Sequence, residues 1–417
     1  LSKYFGKNSS EQSIIAVSLV TALCLIGDSM LYIALPIYYK EVGLQSLWEV
    51  GLILSLNRLI RIPINPFIGL AYRKISLKSG LMIAVFLAVV TTIGYGVGYG
   101  LIILIILRCL WGVSWSFLRL GGLFAVAECS TNSNRGRLMG LYNGLYRLGS
   151  LIGMLVGGIL VSYFGLKVVA IVFGSLMILG FPLIVWLVPR KQVEKEIELQ
   201  TKTPITILFN KQVILVVISG LLLAFIIQGL FVSTLSLVML KHYSHQVQII
   251  GMTIGVTALA GVIQGIRWAW EPFVALKFGQ LSDGKDGRLP LFIIFLTSAA
   301  ICLALIPILM PLYIWIIITS FFMLSTTIIT TLVDALATDV GKISDINIVM
   351  TYYTVFLDVG AALGPIIAYL IISYENGLNF SYYIAALIFI ILAAIWLREY
   401  KAIVKVQRRQ PNSPVIQ

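Results

Sequence analysis

The sequence predicts an all-α integral membrane protein: twelve transmembrane helices in two pseudo-symmetric six-helix bundles. Three observations predict it. The 417 residues are 59% hydrophobic with a mean hydropathy of +0.99, too apolar for a soluble chain of this length. A membrane pass takes about 20 mostly apolar residues. Twelve stretches qualify, six on either side of the most charged interior segment, PRKQVEKEIELQTKTP. Charges and glycines also recur at matching ordinal places in the two sets.

The first stretch, 13–38, carries Asp28 within GDSMLYIALP. A full-length span follows the short polar start directly, so no cleavable signal is read. The second, 47–71, holds Arg58 and Arg61, three apart and therefore on one helical face. It runs into a glycine-containing turn, IGLAYRKISLK. The third, 79–99, is uncharged. The fourth, 101–127, carries Arg108 in its outer half and the deep Arg119. In the fifth, 138–163, Arg147 stands two residues before a Gly149/Gly153 step. The sixth, 166–188, has no central charge.

Beyond the linker, 189–211, the seventh stretch (212–240) contains Gln228. The eighth (247–278) has Gln264, with Arg267 and Glu271 four apart, and ends in FGQLSDGKDGR. The ninth (290–309) and twelfth (380–397) have no central charge. The tenth (312–338) holds Asp334. In the eleventh (347–372) Asp358 stands two residues before Gly360/Gly364, as Arg147 does before its own glycines. G-x-x-x-G steps let membrane helices approach closely. The expected organisation is an N-terminal bundle (1–188), a cytoplasmic linker (189–211), a C-terminal bundle (212–397) and a basic cytoplasmic tail (398–417).

The charge balance sets topology. With the N-terminus inside, twenty of the thirty Lys and Arg fall in cytoplasmic segments, three (Lys40, Lys167, Lys241) outside and seven within spans. This bias places both termini in the cytoplasm of a multi-pass plasma-membrane protein. The net charge of +13 is then a topology signal, not a nucleic-acid footprint. The tail REYKAIVKVQRRQ reads as a lipid-facing basic stretch. The four cysteines have unrelated spacings, so no disulfide framework or metal motif follows. Both histidines, His242 and His245, sit in an outside loop, and no P-loop is present. Neither an enzyme, a cofactor nor an ATP-driven pump is expected.

Several motifs resemble the major facilitator superfamily, and within it the twelve-helix drug:proton antiporter-type exporters. GQLSDGKDGR is similar to the family's loop motif, roughly G-x-L-x-D-R-x-G-R. The first-half copy, GLAYRKISLK, is degenerate, with Tyr72 in place of the acid. Arg108 and Gly112 resemble the fourth-helix R-x-x-x-G motif associated with proton coupling. Gly149, Gly153, Gly157 and Gly158 resemble the exporters' fifth-helix motif, with Met154 where Pro is usual. Asp28 through Pro36 resembles a first-helix D-x-x-x-x-x-x-L-P pattern. The resemblance implies that helices 1, 4, 7 and 10 line a cavity. It also implies that helices 2 and 11, and 5 and 8, meet across the halves, with 3, 6, 9 and 12 facing lipid.

A charge inside a membrane helix is usually paired, cavity-facing and functional. The proton-coupling candidates are Asp28, Arg108, Glu271 and Asp334. Substrate-binding candidates are Arg119, Arg58, Arg61, Arg147, Arg267, Tyr32, Trp115 and Gln228. Interface or gating charges are Arg147, Glu271, Asp358, Arg61, Asp283 and Arg288. Arg147 is expected to face Glu271, and Asp358 to face Arg58 or Arg61. Each has a bland alternative: a static ion pair, an inner-face contact, or packing. Six mid-span arginines against four acids favour a substrate with carboxylate or phosphate groups, which guanidinium binds bidentately.

The reading is a monomeric proton-coupled exporter of a small anionic or zwitterionic organic molecule, such as a carboxylate-rich metabolite or metallophore. Multidrug efflux, uptake of an organic anion, and a non-transporting scaffold or sensor are the alternatives. The retained intramembrane charges argue against the last, since a static bundle gains by replacing them with apolar residues.

Overall fold

The structure, a computed structural model, describes residues 9–129, 135–188, 210–249, 252–282, 287–343 and 346–409. Long apolar runs make the first long helices: α1 (Ser9–Tyr38), α4 (Leu77–Val97), α5 (Leu101–Cys129) and α6 (Arg135–Met177). Gly165 interrupts α6 with φ 76° and ψ 164°, so α6 and α7 (Gly180–Leu187) supply both the fifth and sixth passes. The second pass is split into α2 (Leu47–Leu59) and α3 (Arg61–Tyr72). Pro63 lies just past the break and has no N–H to continue the helical ladder. The seventh pass is α8 (Lys211–Leu223), a π-helical segment (Ala224–Phe231) and α9 (Val232–Tyr243).

The eighth pass begins later than expected. Residues 246–255 form an antiparallel hairpin, β1 (Gln246–Ile249) with β2 (Met252–Gly255), and α10 starts at Val256 and ends at Ser282. The β-branched Val247, Ile249, Thr253 and Ile254 favour strand over helix there. The remaining passes are α11 (Leu289–Leu305), α12 (Leu312–Ile343), α13 (Ile346–Ile372) and α14 (Gly377–Arg409). The helix α14 continues into the expected tail, well past residue 397. Among the described residues eight segments are long and apolar enough to cross a membrane, one of them (138–187) long enough to hold both the fifth and sixth expected passes, while α11 is shorter. The second and eighth expected passes, which carry Arg58, Arg61, Arg267, Glu271 and Lys277, are not among the eight.

The chain groups into two compact units: Leu1–Leu199 with Ser233–Trp268, and Gln200–Val232 with Ala269–Gln417. In the first, glycines bring α6 onto α1 backbone to backbone. A β-carbon at Gly149 would stand 2.0 Å from the Ala22 carbonyl oxygen, and one at Gly153 would stand 2.3 Å from that of Ile26. On its other side the same ladder meets α10, where a β-carbon at Gly261 would stand 2.3 Å from the Met154 carbonyl oxygen. Ser162 Oγ donates to Gly158 O (3.0 Å) and accepts from Ala258 N–H (3.1 Å), one of the orphan donors at the start of α10.

The second unit repeats the device. A β-carbon at Gly360 would stand 2.1 Å from the Leu221 carbonyl oxygen, and one at Gly364 would stand 2.4 Å from that of Phe225. The π segment lies at this contact, with Gly229 against Gly364. Indole N–H groups fix neighbours: Trp396 donates to Ser219 Oγ (3.0 Å) and Trp315 to Ile306 O (2.9 Å). Large apolar side chains, among them Phe67, Phe86, Ile102 and Trp186, stand exposed, the surface a bilayer-embedded protein presents to lipid.

Candidate functional site

A deeply buried charge pair joins α1 to α5. Asp28 sits twenty residues into α1, the only charge of that helix beyond Glu11 in its first turn, and is nearly covered. Arg108, fully buried, donates from Nη1 to Asp28 Oδ1 (2.5 Å) and from Nε to the Ile53 carbonyl of α2 (2.9 Å). Asn57 Nδ2 donates to the same carboxylate oxygen at 3.4 Å. The Arg108 guanidinium lies 5.9 Å from the Tyr32 ring centre and 5.8 Å from that of Tyr95, within cation–π range. Tyr32 is held in turn by its hydroxyl, which donates to Leu54 O (3.3 Å). Three helices therefore converge on one carboxylate.

Arg119 lies elsewhere. It is eleven residues further along α5, about 16 Å at the helical rise, and turns to α6. Nη1 donates to Asn143 Oδ1 (3.1 Å), and the guanidinium sits 5.7 Å from the Tyr142 ring and 5.5 Å from the Tyr146 ring. Trp115, one turn earlier, packs edge-on against Tyr146 at 6.0 Å. Among the described residues Arg119 contacts no carboxylate, so its charge is held by aromatic faces and one amide. The two α5 arginines are thus differently placed: one neutralised, one not.

Arg147 is exposed and lies 5.8 Å from the Trp268 ring, and the buried Arg267 lies 5.8 Å from the same indole. Arg58 and Arg61 are half-buried on either side of the α2–α3 break. In the second unit, Asp334 accepts from the buried Tyr353 hydroxyl at 2.6 Å, while Glu271 and Asp358 are half-buried on α10 and α13. Gln228 lies in the π segment. Arg288 donates from Nε to Asp339 Oδ2 (2.7 Å) and from Nη1 to Ser282 Oγ (3.1 Å), tying the loop after α10 to α12. Asp283 lies outside the described residues.

Tyr72 takes a different role from the acid of the loop motif. It is buried, donates to Phe117 O (2.8 Å), and packs edge-on against Phe117 and Phe124. Gly80 and Gly121 form its socket: a β-carbon at either would stand within 2.6 Å of the tyrosine. Sequence reading passed over Asn57, Tyr95, Tyr142, Asn143, Tyr146 and Trp268. Asn57 had a signal, being an amide in mid-span beside Arg58. The aromatics had none, since membrane helices are rich in them.

A profile of the Major Facilitator Superfamily matches residues 17–337. The synaptic vesicular amine transporter of Homo sapiens is 27% identical over 169 residues, 40% of this chain and 32% of that protein. The quinolone resistance protein NorA of Staphylococcus aureus is 25% identical over 136 residues, 33% of this chain and 35% of that protein. The chain spans about a third of the length of these curated relatives. Among solved structures, a bacterial homolog of the human lysosomal transporter Spinster, inward-facing and unoccupied, aligns with a TM-score of 0.74 at 15% identity, over 96% of this chain and 98% of its own. A POT family transporter in complex with 5-aminolevulinic acid gives 0.74 at 13% identity, over 96% and 97%. These two likenesses show a shared fold. With its family match running through most of the sequence, from α1 into α12, the chain belongs to the Major Facilitator Superfamily, secondary transporters that work by alternating access and are not enzymes.

Proposed function

We propose that this protein is a proton-coupled exporter of a small anionic or zwitterionic organic molecule, with Asp28 as the proton carrier and Arg119 as the anion anchor. The contrast between the two α5 arginines carries this reading. Arg108 is matched by Asp28, so protonating Asp28 leaves a fully buried cation without its counter-charge. A buried charge that loses its partner typically costs about 3–5 kcal/mol, enough to bias the packing of α1, α2 and α5. Asn57 suits both states of the acid. Its amide N–H donates to the carboxylate, and its carbonyl oxygen, which has no partner among the described residues, can accept from the protonated acid once the amide turns.

Arg119 supports the substrate charge. A guanidinium already oriented by Asn143 and two tyrosines, and meeting no carboxylate among the described residues, is prepared for an anion. The cross-half pairings, Arg147 with Glu271 and Asp358 with Arg58 or Arg61, belong to the same proposal as gating contacts. So do the orientation with both termini in the cytoplasm and the placement in the plasma membrane. Multidrug efflux is the second reading, favoured by the likeness to the quinolone resistance protein and by the aromatic wall of Trp115, Tyr142 and Tyr146.

Comparative metabolomics of cells with and without the protein tests this proposal. An anionic metabolite should accumulate inside when the protein is lost. Arg119→Ala should reproduce that accumulation, while Arg119→Lys should preserve most export if charge dominates. Accumulation of neutral or cationic compounds, unaffected by either substitution, would move the reading to multidrug efflux.

A further inference from the structure

The second unit contains a cavity of ≈480 Å³ between α8 and α14 that belongs to neither constellation above. Its walls are aliphatic: Ile214, Ile218 and Leu222 at successive turns of α8, facing Ile388, Ile391 and Ile395 of α14. Several of these side chains stand 38–50% exposed, so the groove opens on the outer surface of the bundle rather than into its core. In a membrane that surface faces acyl chains.

One end of the groove is basic. Lys211, which lines it, pairs with Glu399 (2.5 Å), and this pair cancels the acid there. One helical turn beyond Ile395, on the same stripe, comes Arg398, followed by Lys401 and Lys405. All three are exposed and make no ion pair with any described residue. An apolar slot ending in three unneutralised cations matches a molecule with a hydrocarbon chain and an anionic head. The helix carrying these cations is continuous with the one lining the slot, so chain and head are read by one rigid element.

We infer that the α8–α14 groove is a binding site for an anionic phospholipid, its acyl chain between the isoleucines and its phosphate at Arg398 and Lys401. Juxtamembrane Lys and Arg attract anionic lipid headgroups, and the slot adds a fixed place for the chain. The lipid then bridges α14 to α8, the helix that leads into the π segment with Gln228. This site is independent of the substrate reading.

The test uses the full-length protein purified in mild detergent, with lipid retention measured by native mass spectrometry. Phosphatidylglycerol and phosphatidylcholine of identical acyl chains are the probes. Wild type should retain phosphatidylglycerol preferentially. Removing one headgroup cation, as in Arg398→Gln or Lys401→Gln, should lower the phosphatidylglycerol to phosphatidylcholine ratio by about fivefold. Filling the slot with Ile391→Trp should reduce retention of both lipids, while inorganic phosphate alone should neither bind measurably nor compete. An unchanged ratio in both charge variants would overturn the site. Retention untouched by Ile391→Trp would reject the groove, and competition by phosphate would reduce the feature to a surface anion site.

Discussion

The two halves share a scaffold and differ in what they place on it. In each, two glycines four residues apart press one helix onto the backbone of another: Gly149 and Gly153 onto Ala22 and Ile26, Gly360 and Gly364 onto Leu221 and Phe225. Taking these contacts as anchors, the position equivalent to Asp28 in the second half is Ile227. Likewise, seven residues into α12, where α5 carries Arg108, stands Thr319. The first half therefore holds a buried ion pair where the second holds an aliphatic and a hydroxyl side chain. The loops after the second and eighth passes reverse this. Tyr72 plugs an aromatic socket in the first half, and Arg288 makes an ion pair with Asp339 in the second. Packing geometry is duplicated while charge is distributed unequally, so one repeat can carry a buried ion pair the other lacks without altering the frame.

The duplicated frame should be the most fragile feature. Gly149→Val and Gly360→Val each drive side-chain atoms into backbone carbonyls that cannot yield. Overpacking of ordinary cores costs about 1–3 kcal/mol, and these sites should exceed it. Fluorescence-detected size-exclusion chromatography should show loss of most monodisperse protein for both variants, and little change for Gly69→Ala, where nothing lies within 4 Å of the new β-carbon. Unequal damage from the two valines would break the equivalence of the halves.

The loops should separate next. Tyr72→Ala empties a buried aromatic socket and should cost about 3–5 kcal/mol, as large aromatic truncations do. Arg288→Gln breaks a pair that is partly solvated and should cost about 1 kcal/mol or less. Thermal unfolding in detergent should rank the two in that order, with salt eroding only the Arg288 contribution. A salt-sensitive Tyr72 phenotype would contradict the socket.

Much of the scaffold was legible because its signals are local. Twelve apolar runs, the paired G-x-x-x-G steps and the boundary near residue 165 are each written in a short stretch. The start of the eighth pass was misread because an apolar run with alternating β-branched residues satisfies both helix and strand, and the hairpin wins. Asp28 and Arg108 were each visible as expensive charges, and their pairing followed from neither alone. Arg119, on the same helix as Arg108, was a rival partner for Asp28. The aromatic cradle of Arg119 is written on two helices whose relative rotation the sequence does not encode, so it emerged only from packing.

The central claim is that proton coupling resides in the first half, at Asp28. It is tested most directly by transport of the metabolite that the comparative metabolomics picks out, in vesicles with an imposed pH gradient and, separately, by substrate exchange without one. The account predicts that Asp28→Asn loses gradient-driven transport by about tenfold or more, since a neutral amide leaves Arg108 unmatched, yet keeps measurable exchange. Asp334→Asn, whose acid rests on Tyr353 in the second half, should keep gradient-driven transport close to wild type. Normal gradient-driven transport by Asp28→Asn, together with its loss in Asp334→Asn, would contradict the account and move the proton site to the other half.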